Sequence, residues 1–273
     1  MARTDKIYNR LVETVLTTGV RRESRAGRTI SCFGASICLP IHTEFPLLTT
    51  RKIFFNGVFG ELAAFITGST MLNTFKEFGC NYWDMNAAAW ERNKDVPQSQ
   101  QVVGHIYGYQ WRNWAGHYDQ LYHLVEGINL DPYGRRHLLT TWDPADLKNM
   151  CLPPCHLLAQ FYVHDGALSC LVFMRSVDLA LGLPSDMILY ATLQALIAKQ
   201  CGLSLGTLQF SFGDTHIYEG HIELLKTQLA RGTTAQGALL ELHPITTLFT
   251  FKPEHAMVIN YDPQPAIKYP FNV

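Results

Sequence analysis

Residues 156–176, HLLAQFYVHDGALSCLVFMRS, contain two apolar and aromatic runs on either side of HDG at 164–166. Asp-Gly between two such runs is typical of a tight turn, so the stretch predicts an antiparallel hairpin. RRHLLTTW at 135–142 and TLQFSFGDTHIY at 207–218 also read as strands. Between the hairpin and the last of these strands, DMILYATLQALIAKQCG at 186–202 predicts a long apolar helix that its final glycine ends.

The N-terminal third adds helices and a further extended segment. Apolar residues between Asp5 and Gly19 recur at helical spacing, and NGVFGELAAFITG at 56–68 reads as an apolar helix with one charge. RTISCFGASICLPI at 28–41 reads as extended structure broken by Gly34.

Strands that occur both as hairpins and separated by helices predict an α+β fold with a mixed sheet. WERNKDVPQSQQ at 90–101 is the most loop-like stretch, and no repeat or linker divides the chain. We therefore expect residues 1–273 to form a single catalytic domain.

The bulk composition limits the classes of partner. The chain has 273 residues, 47% of them hydrophobic and 16% charged, and a formal net charge of -1. Lysines and arginines are scattered, which argues against a nucleic-acid or membrane partner. The N-terminus lacks a signal-peptide pattern, and no segment reaches the roughly 18 apolar residues of a membrane span.

The chain has seven cysteines, at positions 32, 38, 80, 151, 155, 170 and 201. An odd number without C-x-x-C spacing predicts reduced thiols and a cytoplasmic location. No His, Cys and Asp cluster has the spacing of metal ligands, so we expect no metal.

Cys155 is the candidate nucleophile. It follows Pro153 and Pro154, which stiffen its approach, and precedes His156. Nearby arginines would lower the pKa of the thiol and favour the thiolate. For the dipeptide alone, a buried, inert cysteine is the better interpretation, and the signature of papain-like proteases is absent.

Other side chains permit two interpretations each. Glu61 is the single charge of an apolar helix, so it is either a partnered core carboxylate or a group with a perturbed pKa. Four residues are aromatic enough to belong to the core alone: Trp83, Tyr107, His216 and Tyr218. Arginines beside strands could bind phosphate through their guanidinium forks or serve as surface ion pairs.

Longer motifs occur in the order and spacing of one family. LPPCHLLAQFYV at 152–163, RSVDLALGLPSDMILYA at 175–191 and GDTHIYEGH at 213–221 resemble the thymidylate synthase family. FPLLTTRK, YGYQWRNW, DPYGRRHLLTTW and the tail YDPQPAIKYPFNV resemble it too, so the similarity covers nearly the whole chain. It implies a large mixed sheet with flanking helices, and a homodimer formed by packing of sheet faces.

The resemblance also implies a role for individual residues. Cys155 would add to C6 of a pyrimidine nucleotide, with Glu61 organising the waters that move protons and Tyr107 helping to remove the C5 proton. The implied ligands of the phosphate and ribose are Arg25, Arg175, Ser176, His216 and Tyr218, together with Arg135 and Arg136 of the partner subunit. The implied site for methylenetetrahydrofolate comprises Trp83, Asp178, Leu181, Gly182 and the C-terminal residues around Val273. The loop around Arg25 is one residue shorter than usual in the family.

Asp186 departs from the family pattern. The motif Leu183-Pro184-Ser185-Asp186 ends in Asp where thymidylate synthases carry the Asn that reads uracil. Cytosine presents the opposite hydrogen-bonding polarity at N3 and at the exocyclic position. A carboxyl group accepts from the N4 amino group while it shares a proton with N3, so Asp186 predicts a cytidylate substrate.

Two further departures concern access of water to the reacting carbon. Asn86 stands where the family usually has a second Trp, and Ser185 replaces a usual apolar residue. Both changes make the folate side more polar, which favours capture of the intermediate by water and a hydroxymethyl product.

Four functions remain open from the sequence. We favour a cytidylate 5-hydroxymethylase acting on dCMP or CMP, and the main alternative is a cytidylate methyltransferase that completes the reaction by hydride transfer. A thymidylate synthase acting on dUMP is the third. The fourth is a nucleotide- or RNA-binding protein without catalysis, against which Cys155, Glu61, Tyr107 and Arg175 argue.

Overall fold

A computed structural model describes residues 2–24, 27–234 and 236–271 of the chain. The α-helices of this part are α1 (Arg3–Thr18), α2 (Phe55–Thr67), α3 (Leu72–Glu77), α4 (Asp84–Ala89), α5 (Tyr107–Asn113), α6 (Gln120–Leu130), α7 (Gly182–Gln200) and α8 (Ile222–Leu229). The strands are β1 (Val20–Ser24), β2 (Gly27–Phe33), β3 (Ser36–Leu39), β4 (Leu138–Thr140), β5 (His156–His164), β6 (Ala167–Asp178), β7 (Ser204–Tyr218), β8 (Leu239–Leu242) and β9 (Ala256–Ile259).

The large sheet has the strand order β1-β2-β7-β6-β5-β4, and β3 follows β2 along the same edge of β7. β6 and β7 run parallel, whereas the other neighbours in this sheet are antiparallel. Helices flank the sheet, and α7 makes the crossover between the two parallel strands. The predicted α+β fold with a mixed sheet is therefore confirmed.

The central hairpin forms as predicted. β5 and β6 pair in antiparallel register through a turn at Asp165 and Gly166, whose φ angles are 48° and 71°. Positive φ at both positions is the geometry that suits the twist of a two-residue hairpin. Gly34, with φ of 85°, breaks the extended segment into β2 and β3. β4 is shorter than predicted because this edge strand bonds β5 over three residues.

Helix α7 begins four residues before the predicted start at 186. The carboxylate of Asp178 accepts hydrogen bonds from the backbone N–H of Ala180 at 2.9 Å and of Leu181 at 3.2 Å. These bonds satisfy donors that precede the first helical turn, so the helix can begin at Gly182. α7 is buried almost all round from 183 to 198, as expected for a helix that is apolar on every face.

The two faces of the sheet differ in burial. Alternate residues of β5 and β6, among them Phe161, Val172 and Met174, belong to the buried core. The opposite face leaves Tyr162 62% exposed and Phe173 40% exposed. Among the described residues, no helix combines the length and apolarity that a membrane crossing requires.

Candidate active site

A cavity of about 510 Å³ lies among α2, α4, α5, the start of β5 and the first turn of α7. Nine residues predicted to act in catalysis or folate binding line it: Glu61, Trp83, Asn86, Tyr107, Cys155, Leu181, Gly182, Ser185 and Asp186. They come from five separate segments of the chain, so the fold alone brings them together.

Cys155 is held by two neighbours that the sequence also singles out. Its backbone N–H donates to the hydroxyl of Tyr107 at 2.8 Å. Arg175 donates to the carbonyl of Pro154 at 2.7 Å, and its Nη2 lies 3.8 Å from the Cys155 sulfur. The Pro-Pro segment and Arg175 together fix the thiol at the cavity wall.

Burial outweighs the arginine at this thiol. Desolvation raises the pKa of Cys155, the positive charge of Arg175 lowers it, and the negative charge of Asp186 raises it further. The net shift is upward, so the expectation of a lowered pKa is wrong for this structure. The thiol is therefore protonated at neutral pH, and attack requires a proton acceptor in the loaded site.

Glu61 is both partnered and perturbed, so the two interpretations of its sequence position hold together. Its Oε1 accepts a hydrogen bond from the indole N–H of Trp83 at 2.8 Å. Burial raises the pKa of Glu61 to about 7, and the bond from Trp83 offsets part of this rise. A carboxyl group with a pKa near neutrality can exchange protons at physiological pH.

Asp186 is the fifth residue of α7, and its side chain is 17% exposed. Burial, followed by the negative charges of Glu61 and Asp178, raises the pKa of Asp186 well above its usual value. This shift favours the protonated form of the carboxyl group, in which one oxygen is a donor and the other an acceptor.

His156 packs against Tyr107 and Tyr190 close to Asp186. Its ring stacks on Tyr107 with centroids 3.8 Å apart, and burial lowers the pKa of the imidazole to about 3. A neutral histidine therefore borders the Asp186 carboxyl, and its Nε2 lies 4.0 Å from Oδ1.

A second cavity of about 350 Å³ lies where β6 and β7 end side by side. Its lining includes four residues predicted to bind phosphate or ribose: Arg175, Ser176, His216 and Tyr218. The parallel register places Ser176 opposite Asp214 and Asp178 opposite His216. Since parallel strands end at the same sheet edge, residues far apart in sequence converge here. Arg175 contributes to this cavity and also approaches the thiol of the first.

Arg22 and Asp214 were not predicted as site residues from the sequence. Asp214 accepts a hydrogen bond from Arg22 at 2.9 Å, and its other oxygen lies 2.9 Å from His216 Nδ1. Asp214 thereby fixes the orientation of His216, and Arg22 adds a positive charge to the cavity lining. Alternation along β7 is the signal that could have indicated Asp214, because it lies two residues before His216 on the same face.

A family model described as thymidylate synthase matches residues 6–273 of the chain. The chain belongs to the thymidylate synthase family. It is 36% identical over 277 residues to the bifunctional dihydrofolate reductase-thymidylate synthase of Zea mays. That match covers 96% of this chain and 53% of the maize protein, so the chain spans about half the length of this curated relative.

The family resemblance inferred from the motifs is confirmed, whereas most individual roles stay predictions. Asp178 lies at the start of α7, and its carboxylate bonds the backbone there. Arg135 and Arg136 are exposed and line neither cavity. Arg25 and Val273 lie outside the described residues. Within the described part of the chain, no three His, Cys, Asp or Glu side chains are grouped as a metal site.

Proposed function

We propose that this protein transfers a one-carbon unit from 5,10-methylenetetrahydrofolate to C5 of a cytidine monophosphate and releases the 5-hydroxymethyl nucleotide. The observation that carries the proposal is the presence of the Asp186 carboxyl, whose pKa burial raises, in the same cavity as Cys155 and Glu61. The substrate is dCMP or CMP.

Base selection rests on the hydrogen-bonding pattern of Asp186. A protonated carboxyl group presents one acceptor oxygen to the N4 amino group of cytosine and one donor to N3. A mismatched, buried polar pair costs on the order of 1–3 kcal/mol. The depth of Asp186 in the cavity strengthens this discrimination because water cannot replace the lost bond.

The residues of the chain supply the nucleophile and the proton transfers. The sulfur of Cys155 forms a bond to C6, and the electron density that moves toward N3 is stabilised by the proton of Asp186. C5 then bonds the one-carbon unit and loses its proton toward the water network at Glu61. Burial raises the pKa of Tyr107 well above its usual value, so this hydroxyl acts as a neutral hydrogen-bonding group.

The cavity fits a folate beside the nucleotide. Its volume of about 510 Å³ lies within the usual range for ligand sites. Trp83, Leu181 and Phe271 form apolar walls that suit a flat pterin ring, and Gly182 leaves room beside them. When bound, the folate supplies the carbon at the oxidation level of formaldehyde.

The end of the reaction depends on water. Loss of the C5 proton together with departure of tetrahydrofolate from the transferred carbon would leave the base with an exocyclic methylene group. Addition of water to this carbon, with departure of the Cys155 sulfur from C6, gives the hydroxymethyl product. Asn86 and Ser185 line the cavity and make this side polar, which supports capture by water.

One observation favours a second candidate function, cytidylate 5-methyltransferase. Phe271 of the C-terminal segment lines the cavity and adds an apolar wall. Exclusion of water by this wall would allow hydride to reach the methylene carbon instead. The product would then carry a methyl group and the folate would leave as dihydrofolate.

A product assay with CMP, dCMP and dUMP side by side tests these functions. We expect a hydroxymethyl cytidylate by mass spectrometry and no absorbance change from dihydrofolate. A methylated cytidylate with stoichiometric dihydrofolate would establish the methyltransferase. Efficient turnover of dUMP with inert cytidylates would establish thymidylate synthesis and would refute the proposal.

A homodimer formed through the exposed sheet face is part of the proposal. Tyr162, Leu171 and Phe173 form an apolar surface on that face, and exposed apolar patches of this kind mark association sites. Arg135 and Arg136 would then bind the phosphate in the partner's site.

Mixing inactive Cys155→Ala and Arg136→Ala subunits should restore activity, because one site of each mixed dimer regains every residue. Monomeric behaviour at assay concentration would contradict this assembly.

A further inference from the structure

Tyr190 lies one helical turn after Asp186 on α7, and His156 contacts both. The Tyr190 hydroxyl is 2.7 Å from Nδ1 of His156. The opposite nitrogen of the same ring, Nε2, is 4.0 Å from Oδ1 of Asp186. The imidazole therefore bridges two α7 side chains on the same helix face.

The orientation of this imidazole is fixed by packing. The ring of Tyr107 stacks on one face at an interplanar angle of 13°, and the ring of Tyr190 meets it at 89°. His156 is 4% exposed and Tyr190 is 1% exposed. Rotation of the imidazole by half a turn would leave the Tyr190 hydroxyl facing a carbon, so the observed orientation is favoured.

The same contacts fix the tautomer. Burial keeps His156 neutral, with a pKa of about 3, so the ring has one N–H donor and one acceptor nitrogen. Burial also raises the pKa of Tyr190 well above its usual value, and the hydroxyl retains its proton. Among residues 2–24, 27–234 and 236–271, the Tyr190 hydroxyl has one hydrogen-bond partner, which is His156 Nδ1. The hydroxyl consequently donates to Nδ1, and the ring hydrogen lies on Nε2, toward Asp186.

The position of the proton on Asp186 matters, because a protonated carboxyl group can match either of two bases. With its proton on one oxygen it matches cytosine, and with the proton on the other it matches uracil. The Nε2–H dipole of His156 lies 4.0 Å from Oδ1, beyond hydrogen-bonding distance, and its positive end favours Oδ1 as the acceptor oxygen. The proton then resides on Oδ2, and the carboxyl matches cytosine in the pose in which Oδ2 faces N3 and Oδ1 faces the N4 amino group.

We propose that Tyr190, acting through His156, is a positioning residue that sets which oxygen of Asp186 carries the proton and thereby selects cytosine over uracil. This inference rests on the proposed cytidylate function. It assigns base selection to a chain of three side chains, of which Tyr190 touches neither substrate nor cofactor.

Tyr190→Phe in the full-length protein tests the inference by removing one buried oxygen. We expect the ratio of kcat/KM for dCMP to that for dUMP to fall about tenfold, the effect of one hydrogen bond of about 1.4 kcal/mol. Thr192→Val is the matched control, because it also removes a fully buried hydroxyl from α7. That hydroxyl donates a hydrogen bond to the carbonyl of Ile188. The ratio of this control variant should stay unchanged.

Nitrogen NMR of His156 provides a second measurement, whose wild-type part needs no variant. The wild-type protein should show the Nε2–H tautomer, and Tyr190→Phe should show a mixture of both. An Nδ1–H tautomer in the wild type, or an unchanged ratio in a folded Tyr190→Phe, would overturn the inference while the cytidylate function stands. Preference of the wild-type protein for dUMP would instead overturn the proposed function itself.

Discussion

The proposed base end and the proposed phosphate end of the site differ in how strongly their charged groups are buried. At the base end, Glu61, Asp186 and His156 lie within apolar walls, and burial is the largest cause of each of their pKa shifts. At the phosphate end, the charged groups are more exposed: Arg22 has 59% and Asp214 has 32% of the side chain accessible. The pKa of Asp214 is lowered, chiefly by its hydrogen bond with His216.

This contrast separates selectivity from affinity. A buried group discriminates strongly because a mismatched partner leaves a polar atom without water. An exposed charge attracts an anion, but solvent and salt screen it, so its removal costs little. Changes at the base end should therefore alter which nucleotide reacts, and changes at the phosphate end should alter how tightly any nucleotide binds.

The largest effect should come from Cys155→Ala. Without the sulfur no bond to C6 can form, so we expect turnover to fall by about 10⁴-fold or more. Release of tritium from C5 of labelled dCMP measures this step directly. Nucleotide binding by calorimetry should change little, and retained tritium release would show that another group is the nucleophile.

Asp186→Asn should change the preferred base from cytosine to uracil, which tests whether the buried end determines selectivity. An amide can donate to O4 and accept from N3–H, so dUMP turnover should rise while dCMP turnover falls. The ratio of the two kcat/KM values should change by up to about 10⁴-fold. If the variant shows the wild-type ratio, base selection does not reside at this position.

The pH profile should report the two buried carboxyl groups. Glu61 acts through its ionised form, so kcat/KM for dCMP should rise with pH through about 7. At higher pH the rate should fall as Asp186, whose pKa is raised by burial, loses the proton that N3 requires. Glu61→Gln should abolish the rising limb and lower activity about 10²-fold. A rising limb that survives in this variant would assign it to another group.

Arg22→Ala should give the smallest effect. The guanidinium pairs with Asp214 at the exposed end, so we expect KM for the nucleotide to rise about 2–5-fold with kcat nearly unchanged. Added salt should shrink the difference. Arg21→Ala is the control, since this neighbour pairs with Glu219 at 3.5 Å and lies outside the phosphate cavity. An equal effect of both variants would mean that general charge, and not Arg22, attracts the nucleotide.

Local sequence patterns predicted which helices and strands form better than they predicted where each one begins and ends. The Asp165-Gly166 turn and the apolar residues of α1 depend on neighbours in the chain, so the hairpin and this helix were predictable. The start of α7 was not, because it depends on the Asp178 carboxylate accepting two backbone bonds that precede the helix. At the site, side chains such as Cys155 and Asp186 were identified from motifs, whereas Arg22 and Tyr190 lie in ordinary surroundings and were not.

The sequence by itself determined the family and the unusual carboxyl at 186, because motifs and single substitutions are properties of the chain order. Only the tertiary structure decided the protonation of the site. Burial and the proximity of Glu61, Asp186 and Cys155 shift their pKa values, and Arg175 fails to reverse the shift at the thiol. These shifts arise from desolvation and from distances between segments that are remote along the chain, which residue order alone does not specify.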